Sequence, residues 1–261
     1  SKTKNEKIEK RILEWQIGHE MFTPYKAGVK TIDEHDRPFA GHLFGSFGIS
    51  RVYKNNSLFN TKVQLGLIGP DAFAKELQEY IHSFYGFKET VGWQHQIKNA
   101  LSLNFDTDYI RHLSTNKSND FDISWVSKAR IGTVYTDISS GFYSRIGTRP
   151  LSKIMNSIAF NSHLNDDSTN YNRAIESFFY IKPMLRYALY DATLQGSFLN
   201  TNSEVTRELV PFVFNLEIGF RFTAKRFNFG YIFNYNTSKS EDLRYTYGNK
   251  FGTIAIHYLL R

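Results

Sequence analysis

The sequence predicts an all-β protein: an antiparallel up-and-down transmembrane β-barrel with one short helix in a rim loop. Three observations carry this prediction. Apolar residues recur at every second position through most of the chain, the spacing that puts alternate side chains on opposite faces of a sheet. The alternating runs are long, 10 to 16 residues in several cases. Strands of globular sheets average ~5–6 residues, and a tilted bilayer span takes ~9–11. The connections also alternate. Segments 54–57 and 223–226 are tight, whereas 23–38, 69–96 and 237–250 are long and polar. Tight turns at one end and long loops at the other give an up-and-down order.

Strands are expected at 11–22, 39–53, 58–68, 98–113, 121–136, 142–148, 177–189, 208–222, 227–236 and 251–260. In the fourth, Leu101, Leu103 and Phe105 alternate with Ser102, Asn104 and Asp106. In the fifth, Ile123, Trp125, Ala129, Ile131 and Tyr135 alternate with Asp122, Ser124, Lys128 and Arg130. The eighth and ninth are the clearest. Phe212, Phe214, Leu216, Ile218, Phe220 and Phe222 are answered by Phe227, Phe229, Tyr231, Phe233 and Tyr235 across four residues. Ile254, Ile256, Tyr258 and Leu260 repeat the pattern near the end. The 149–176 stretch does not fit, because it is long yet falls at the short-turn end. Gly45-Ser46-Phe47-Gly48 lies inside a strand pattern and reads as close strand packing, not a phosphate cradle.

Composition narrows the classes. The 261 residues include 23 Phe, 16 Tyr and 3 Trp, an aromatic share of 16% that could supply interface girdles. Mean hydropathy is negative, and no run approaches the ~18 apolar residues of a spanning helix. Cys is absent, so disulfides, thiolate zinc sites and a Cys nucleophile are excluded. No His-Glu-x-x-His spacing marks a zinc site. The net charge of +7 allows an anionic partner. Its basic residues are scattered, which argues against nucleic acid and leaves an anionic lipid surface. Without linkers or repeats, residues 1–261 read as a single domain. Residues 1–10 are polar and carry no targeting information. A soluble β-sandwich or lipocalin-like barrel would show the same alternation with its polar face outside. Strand length and aromatic load favour the membrane form.

The helix follows Gly69-Pro70-Asp71, a strand stop and helix start, and spans 72–85 within a rim segment 71–85. Phe73, Leu77, Tyr80 and Phe84 form an apolar stripe at helical spacing. Gln78 and His82 lie four apart and so sit one above the other on a neighbouring face. An imidazole beside an amide suits general-base chemistry near neutral pH. They are also what the polar face of any surface helix would present.

Several segments then line up in order. They are Phe22-Thr23-Pro24; Asp36-Arg37-Pro38-Phe39-Ala40-Gly41; Leu67-Ile68-Gly69-Pro70 with Gln78 and His82; Gly92-Trp93-Gln94-His95-Gln96; and Tyr190-Asp191-Ala192-Thr193-Leu194-Gln195-Gly196. Together these resemble the outer-membrane lipid A 3′-O-deacylase family of Gram-negative bacteria, over nearly the whole chain. The resemblance implies a twelve-stranded barrel in the cell outer membrane, monomeric, with its site near the outer, lipopolysaccharide-facing rim. It implies hydrolysis of the ester carrying the 3′ acyloxyacyl chain of lipid A. His82 matches the family's general base on water, and Gln78 its helical neighbour. Calcium is the cation the family suggests. A Lys before the Asp-Arg motif polarises the ester in some members; Lys26 and Lys30 are both candidates. Asp36 and Arg37 read as a structural rim salt bridge.

The family also opens with a strand ending in Asn-Asp and a second beginning Tyr-Thr-x-Gly, which bind the cation and organise the water and oxyanion. Neither is present, and Asn5-Glu6 sits in what reads as a charged turn. Ten strands are twelve less one hairpin, so the chain is expected to be N-terminally incomplete. The competing expectation is a non-catalytic barrel: a pore, adhesin or structural protein without the complete site.

Overall fold

The computed structural model describes residues 8–26, 28–160, 175–241 and 248–258. They form ten strands in one antiparallel sheet, each paired with its neighbours in the chain. The strands are β1 (Ile8–Phe22), β2 (Ala40–Tyr53), β3 (Leu58–Ile68), β4 (Ala100–Thr115) and β5 (Phe121–Gly132). They continue as β6 (Tyr135–Gly147), β7 (Ile175–Asp191), β8 (Phe212–Ala224), β9 (Phe227–Asn236) and β10 (Asn249–Tyr258). Helix α1 (Ala74–Tyr85) follows β3, and a single turn, α2 (Ala192–Gln195), follows β7. No helix among the described residues is long and apolar enough to cross a membrane.

The sheet curls around a polar interior. Tyr135 on β6 reaches across to Glu20 on β1, its hydroxyl donating at 2.7 Å. Residues from all ten strands line a common cavity of about 410 Å³. Side-chain parity settles which face is which. Ser102, Asn104 and Asp106 are buried, while Leu101, Leu103 and Phe105 are 53, 47 and 45% exposed. Asn228 and Asn236 point inward, and Tyr231 and Phe233 outward. A soluble barrel would have the opposite polarity. Apolar outside and polar inside is the arrangement that lipid requires.

Three expectations need correction. Residues 8–10 belong to β1 and are not a turn. The strand drawn over 121–136 ends at Gly132, and β6 begins at Tyr135, well before 142. The cause lies on β4: the Asn104 side-chain oxygen accepts the Val134 and Tyr135 N–H groups at 3.3 and 3.1 Å. A Cβ on Gly132 would come within 2.2 Å of that oxygen. The expected start of β8 at 208 moves to Phe212, because Pro211 has no N–H for the ladder. Expected strand residues 259–260 lie outside the described residues. Of the two strand glycines, Gly48 is closely packed against Lys62, but Gly45 opens onto free space.

The misfit stretch after β6 has a physical explanation. Residues 149–160 turn inward at the short-turn end instead of looping away. Ile154 is fully buried against Ile12, Val52 and Leu58. Ser157 donates to Glu176 at 2.7 Å, and the carbonyl of Ile158 meets His257 on β10 at 3.4 Å. Inside a barrel the stretch can bury its apolar residues, so length need not mean exposure.

Candidate functional site

The long loops gather at the other end, and α1 is seated on the outside of the wall there. Glu20 and His42 point inward, where His42 bonds Glu20 at 3.1 Å and Ser102 at 2.7 Å. Their neighbours Met21 and Gly41, a facing pair on β1 and β2, therefore point outward. Ala74 packs there: a Cβ on Gly41 would lie 2.6 Å from the Ala74 Cβ. Gly41→Val is expected to lift α1 from the wall. Faster protease cleavage within 74–87, with the barrel still folded, would report it.

The helix is shorter than expected. Pro70–Ala72 is a 3-10 turn, and Phe73 takes a left-handed φ of 56° before α1 begins. That break lets Ala72 and Ala74 both seat against the strands, each essentially buried. Gly69, at φ 110°, is crowded by Asn99, whose side chain accepts the Asp71 N–H at 2.9 Å. The apolar stripe does not pack inward. Phe73, Tyr80 and Phe84 are exposed, and the wall side carries Ala74 and the partly buried Gln78.

Gln78 and His82 are brought together with a defined orientation. His82 Nδ1 lies 2.7 Å from the carbonyl oxygen of Lys88. A carbonyl only accepts, so Nδ1 carries the proton and Nε2 keeps its lone pair. The Trp93 indole N–H donates to Gln78 Oε1 at 2.8 Å. An indole only donates, so the Gln78 amino group faces His82 Nε2, at 3.5 Å. That distance is long for a hydrogen bond and leaves Nε2 open to a water. Thr90 stands 3.4 Å from Nδ1, and Phe87 meets the imidazole edge-on at 5.5 Å. Gly86, left-handed at φ 68°, turns the chain so that Lys88 can reach back.

Trp93 is held in turn by Phe39, with ring centroids 4.7 Å apart, and both rings are buried. Trp93→Phe would keep the packing and free the Gln78 amide. A fall of about fivefold in kcat with KM unchanged is expected, the worth of one hydrogen bond of about 1 kcal/mol. Combined with Gln78→Leu, it should add little more, because both act through one contact.

Lys26 and Lys30 are exposed on a segment that Gly28 joins to Val91 by a parallel bridge. This puts their loop beside the one that carries Thr90. Among the described residues, no hydrogen bond or ion pair joins either ammonium to Gln78 or His82. Asp36 and Arg37 do not pair with each other in the manner expected. Asp36 accepts the Tyr25 N–H at 3.1 Å. Arg37 stacks over Phe22 at 4.8 Å and donates to the Thr193 carbonyl at 3.3 Å. Burial lowers the Arg37 pKa, and the charge of Asp191 opposes that shift. Asp191 itself caps α2 through the Thr193 N–H at 3.0 Å. The Asp-Arg and Tyr-Asp segments thus meet at the rim.

The third rim loop closes over the second. His95 bonds Glu204 at 2.6 Å, a contact that holds the Glu204 carboxyl below its usual range. Asn200 donates to the Asn99 carbonyl at 2.8 Å, and Arg207 to that of His35. Sequence spacing had no means of finding Lys88, Thr90 or Glu204. Lys88 contributes a backbone carbonyl, which any residue has, and Glu204 lies 109 positions from its partner.

Calcium binding takes 6–8 oxygen ligands. Among the described residues no group of three or more His, Cys, Asp or Glu could hold a metal ion. These residues alone do not fit a calcium shell.

The sequence matches the family described as outer membrane protein LpxR over residues 1–260. Among solved structures, LpxR from Salmonella typhimurium superposes with a TM-score of 0.76. The two are 17% identical, and the match covers 96% of this chain and 84% of that one. At that identity the likeness speaks for the fold. Comparison with curated proteins finds no match. With the family pattern spanning residues 1–260 and the fold matching a solved member, this chain belongs to the outer membrane protein LpxR family.

Proposed function

We propose that the protein hydrolyses the ester carrying the 3′-linked acyloxyacyl chain of lipid A, with His82 as general base on water. The carrying observation is the imidazole orientation, with Nδ1–H tied to the Lys88 carbonyl and the Nε2 lone pair facing the Gln78 amino group at 3.5 Å. Water gives a proton to Nε2 as its oxygen attacks the ester carbonyl. The imidazolium then returns that proton to the departing sugar oxygen, and the acid leaves. Gln78 orients the water or the carbonyl. Lys26 or Lys30, on the segment bridged to Val91, is the cation available to the developing oxyanion. The protein acts as a monomer. Calcium is the cation that the resemblance suggests; the proposal assigns roles only to Gln78, His82, Lys26 and Lys30.

The position of the site supports a lipid substrate. Gln78 and His82 are outside the barrel wall and do not line the lumen cavity. The competing pore reading is weakened by the buried 149–160 stretch at the short-turn end. Mass spectrometry of lipid A incubated with the protein is the test. Loss of the mass of one acyloxyacyl chain, mapped to the 3′ position by fragmentation, is expected; unchanged lipid A would overturn the proposal.

A further inference from the structure

We propose that the outer mouth of the lumen holds a phosphate or phosphomonoester on Lys239 and Arg186. The site is inside the barrel, whereas α1 is outside its wall, and the proposal is independent of the hydrolase.

Lys239 follows β9 in the last rim loop, and the chain holds it in place. The Lys239 carbonyl accepts the Val210 N–H at 3.0 Å, and Ser240 bridges to Leu209. The Thr237 N–H donates to the Phe214 carbonyl at 3.0 Å. The segment is thereby folded against the entry to β8, and Lys239 lines the lumen cavity. Arg186, on β7, lines the same cavity; it is 9% exposed, and its Nε–H has no partner. Asn215, also on the cavity wall, faces Asn236 across β8 and β9 and adds an amide donor.

The charges at this mouth do not balance. Among the described residues, Arg37, Arg130, Arg186 and Lys239 meet Glu20, Asp137 and Asp191, and each of these carboxylates is already engaged. Asp137 accepts from Arg130 Nε at 3.0 Å and pairs with Arg186 at 3.2 Å. Asp191 accepts from the Thr193 N–H and hydroxyl at 3.0 and 2.6 Å, and lies 3.9 Å from Arg186. Glu20 takes His42 and the Tyr135 hydroxyl. Among the described residues no ion pair reaches Lys239. Burial, and next the charge of Arg186, push its pKa down to about 8; Asp191 opposes the fall, and Arg37 and Arg130 add to it. A cation withdrawn from water into a positive field is costly unless an anion joins it. Donors on three separate elements suit a tetrahedral anion, whose oxygens point in several directions, better than a planar carboxylate. The cavity of about 410 Å³ has room for a phosphate and its water.

Isothermal titration of the full chain in maltoside micelles with inorganic phosphate, at constant ionic strength, is the first test. One phosphate should bind per chain. Lys239→Gln should weaken binding by about tenfold or more, the worth of a charged hydrogen bond. Lys117→Gln, on an exposed turn at the opposite end, should leave it unchanged. Heat-modifiable migration checks that the variants fold. Thermal unfolding then reads the source of the anion. One arm adds inorganic phosphate to maltoside micelles, and the other mixes phosphatidic acid into the micelles without phosphate. Lys239-dependent stabilisation by the first assigns the site to a free anion, and by the second alone to a lipid headgroup. Equal stabilisation of Lys239→Gln would overturn the proposal. So would an unsubstituted protein that neither phosphate nor phosphatidic acid stabilises beyond chloride at equal ionic strength. Neither readout involves lipid A hydrolysis, so failure of the hydrolase reading and failure of this one are distinguishable.

Discussion

His82→Ala is expected to lower lipid A ester hydrolysis by about 10²–10⁴-fold, the usual worth of a general base. The barrel should fold normally, because the imidazole is at the surface and its one strong bond is to a loop carbonyl. Heat-modifiable migration on gels checks folding, and lipid A mass spectra over a time course check the rate. Gln78→Ala should cost less, since it orients a water but transfers no proton. The ordering separates a working site from a polar helix face: on an ordinary surface helix both substitutions would leave hydrolysis unaltered. Activity within threefold of normal in His82→Ala would rule His82 out as the base.

The second large effect lies at the opposite end. Arg145 is 1% exposed and donates to Asp122 through both Nε and Nη2. Glu176 is 3.7 Å away, and the Ser152 carbonyl accepts at 3.1 Å. The rings of Phe160 and Phe178 stack on the guanidinium at 5.1 and 5.2 Å. Arg145→Ala would leave two carboxylates facing each other without a cation, a loss of about 3–5 kcal/mol. It would also release 149–160, since Ser152 and Ser157 are held through the same group of residues. Arg145→Lys should recover only part, because an ammonium cannot bond both Asp122 oxygens in the plane of a guanidinium. Urea unfolding of vesicle-inserted protein measures the change. The fraction that remains folded should keep its specific activity, as α1 is at the far rim. A loss under 1 kcal/mol would mean that water already fills this end of the barrel.

The lumen and the site differ in how far residues announce them. Every inward polar residue of β4 follows from counting by twos, as do the aromatic outward positions of β8 and β9. The turn at Thr133-Val134 does not, because its acceptor is a side chain on the previous strand. Counting by twos carried the pattern straight through to Tyr135, which also happens to be apolar. Gln78 and His82 were visible by their spacing of four. Their orientation was not, since it depends on Trp93 and on the carbonyl of Lys88. The aromatic stripe of α1 was visible too, but an amphipathic pattern states only that one side avoids water. It does not say whether protein or lipid takes that side.

The sequence by itself therefore determined the strand order, the two-faced sheet, the helix and the pair of residues on it. These are local or periodic properties, set by side-chain alternation and by Gly and Pro at the ends of elements. Tertiary structure decided which face of the sheet meets lipid, how 149–160 is buried, and which nitrogen of His82 is free. Each of those depends on contacts between residues far apart in the chain, and a period carries no record of its partner.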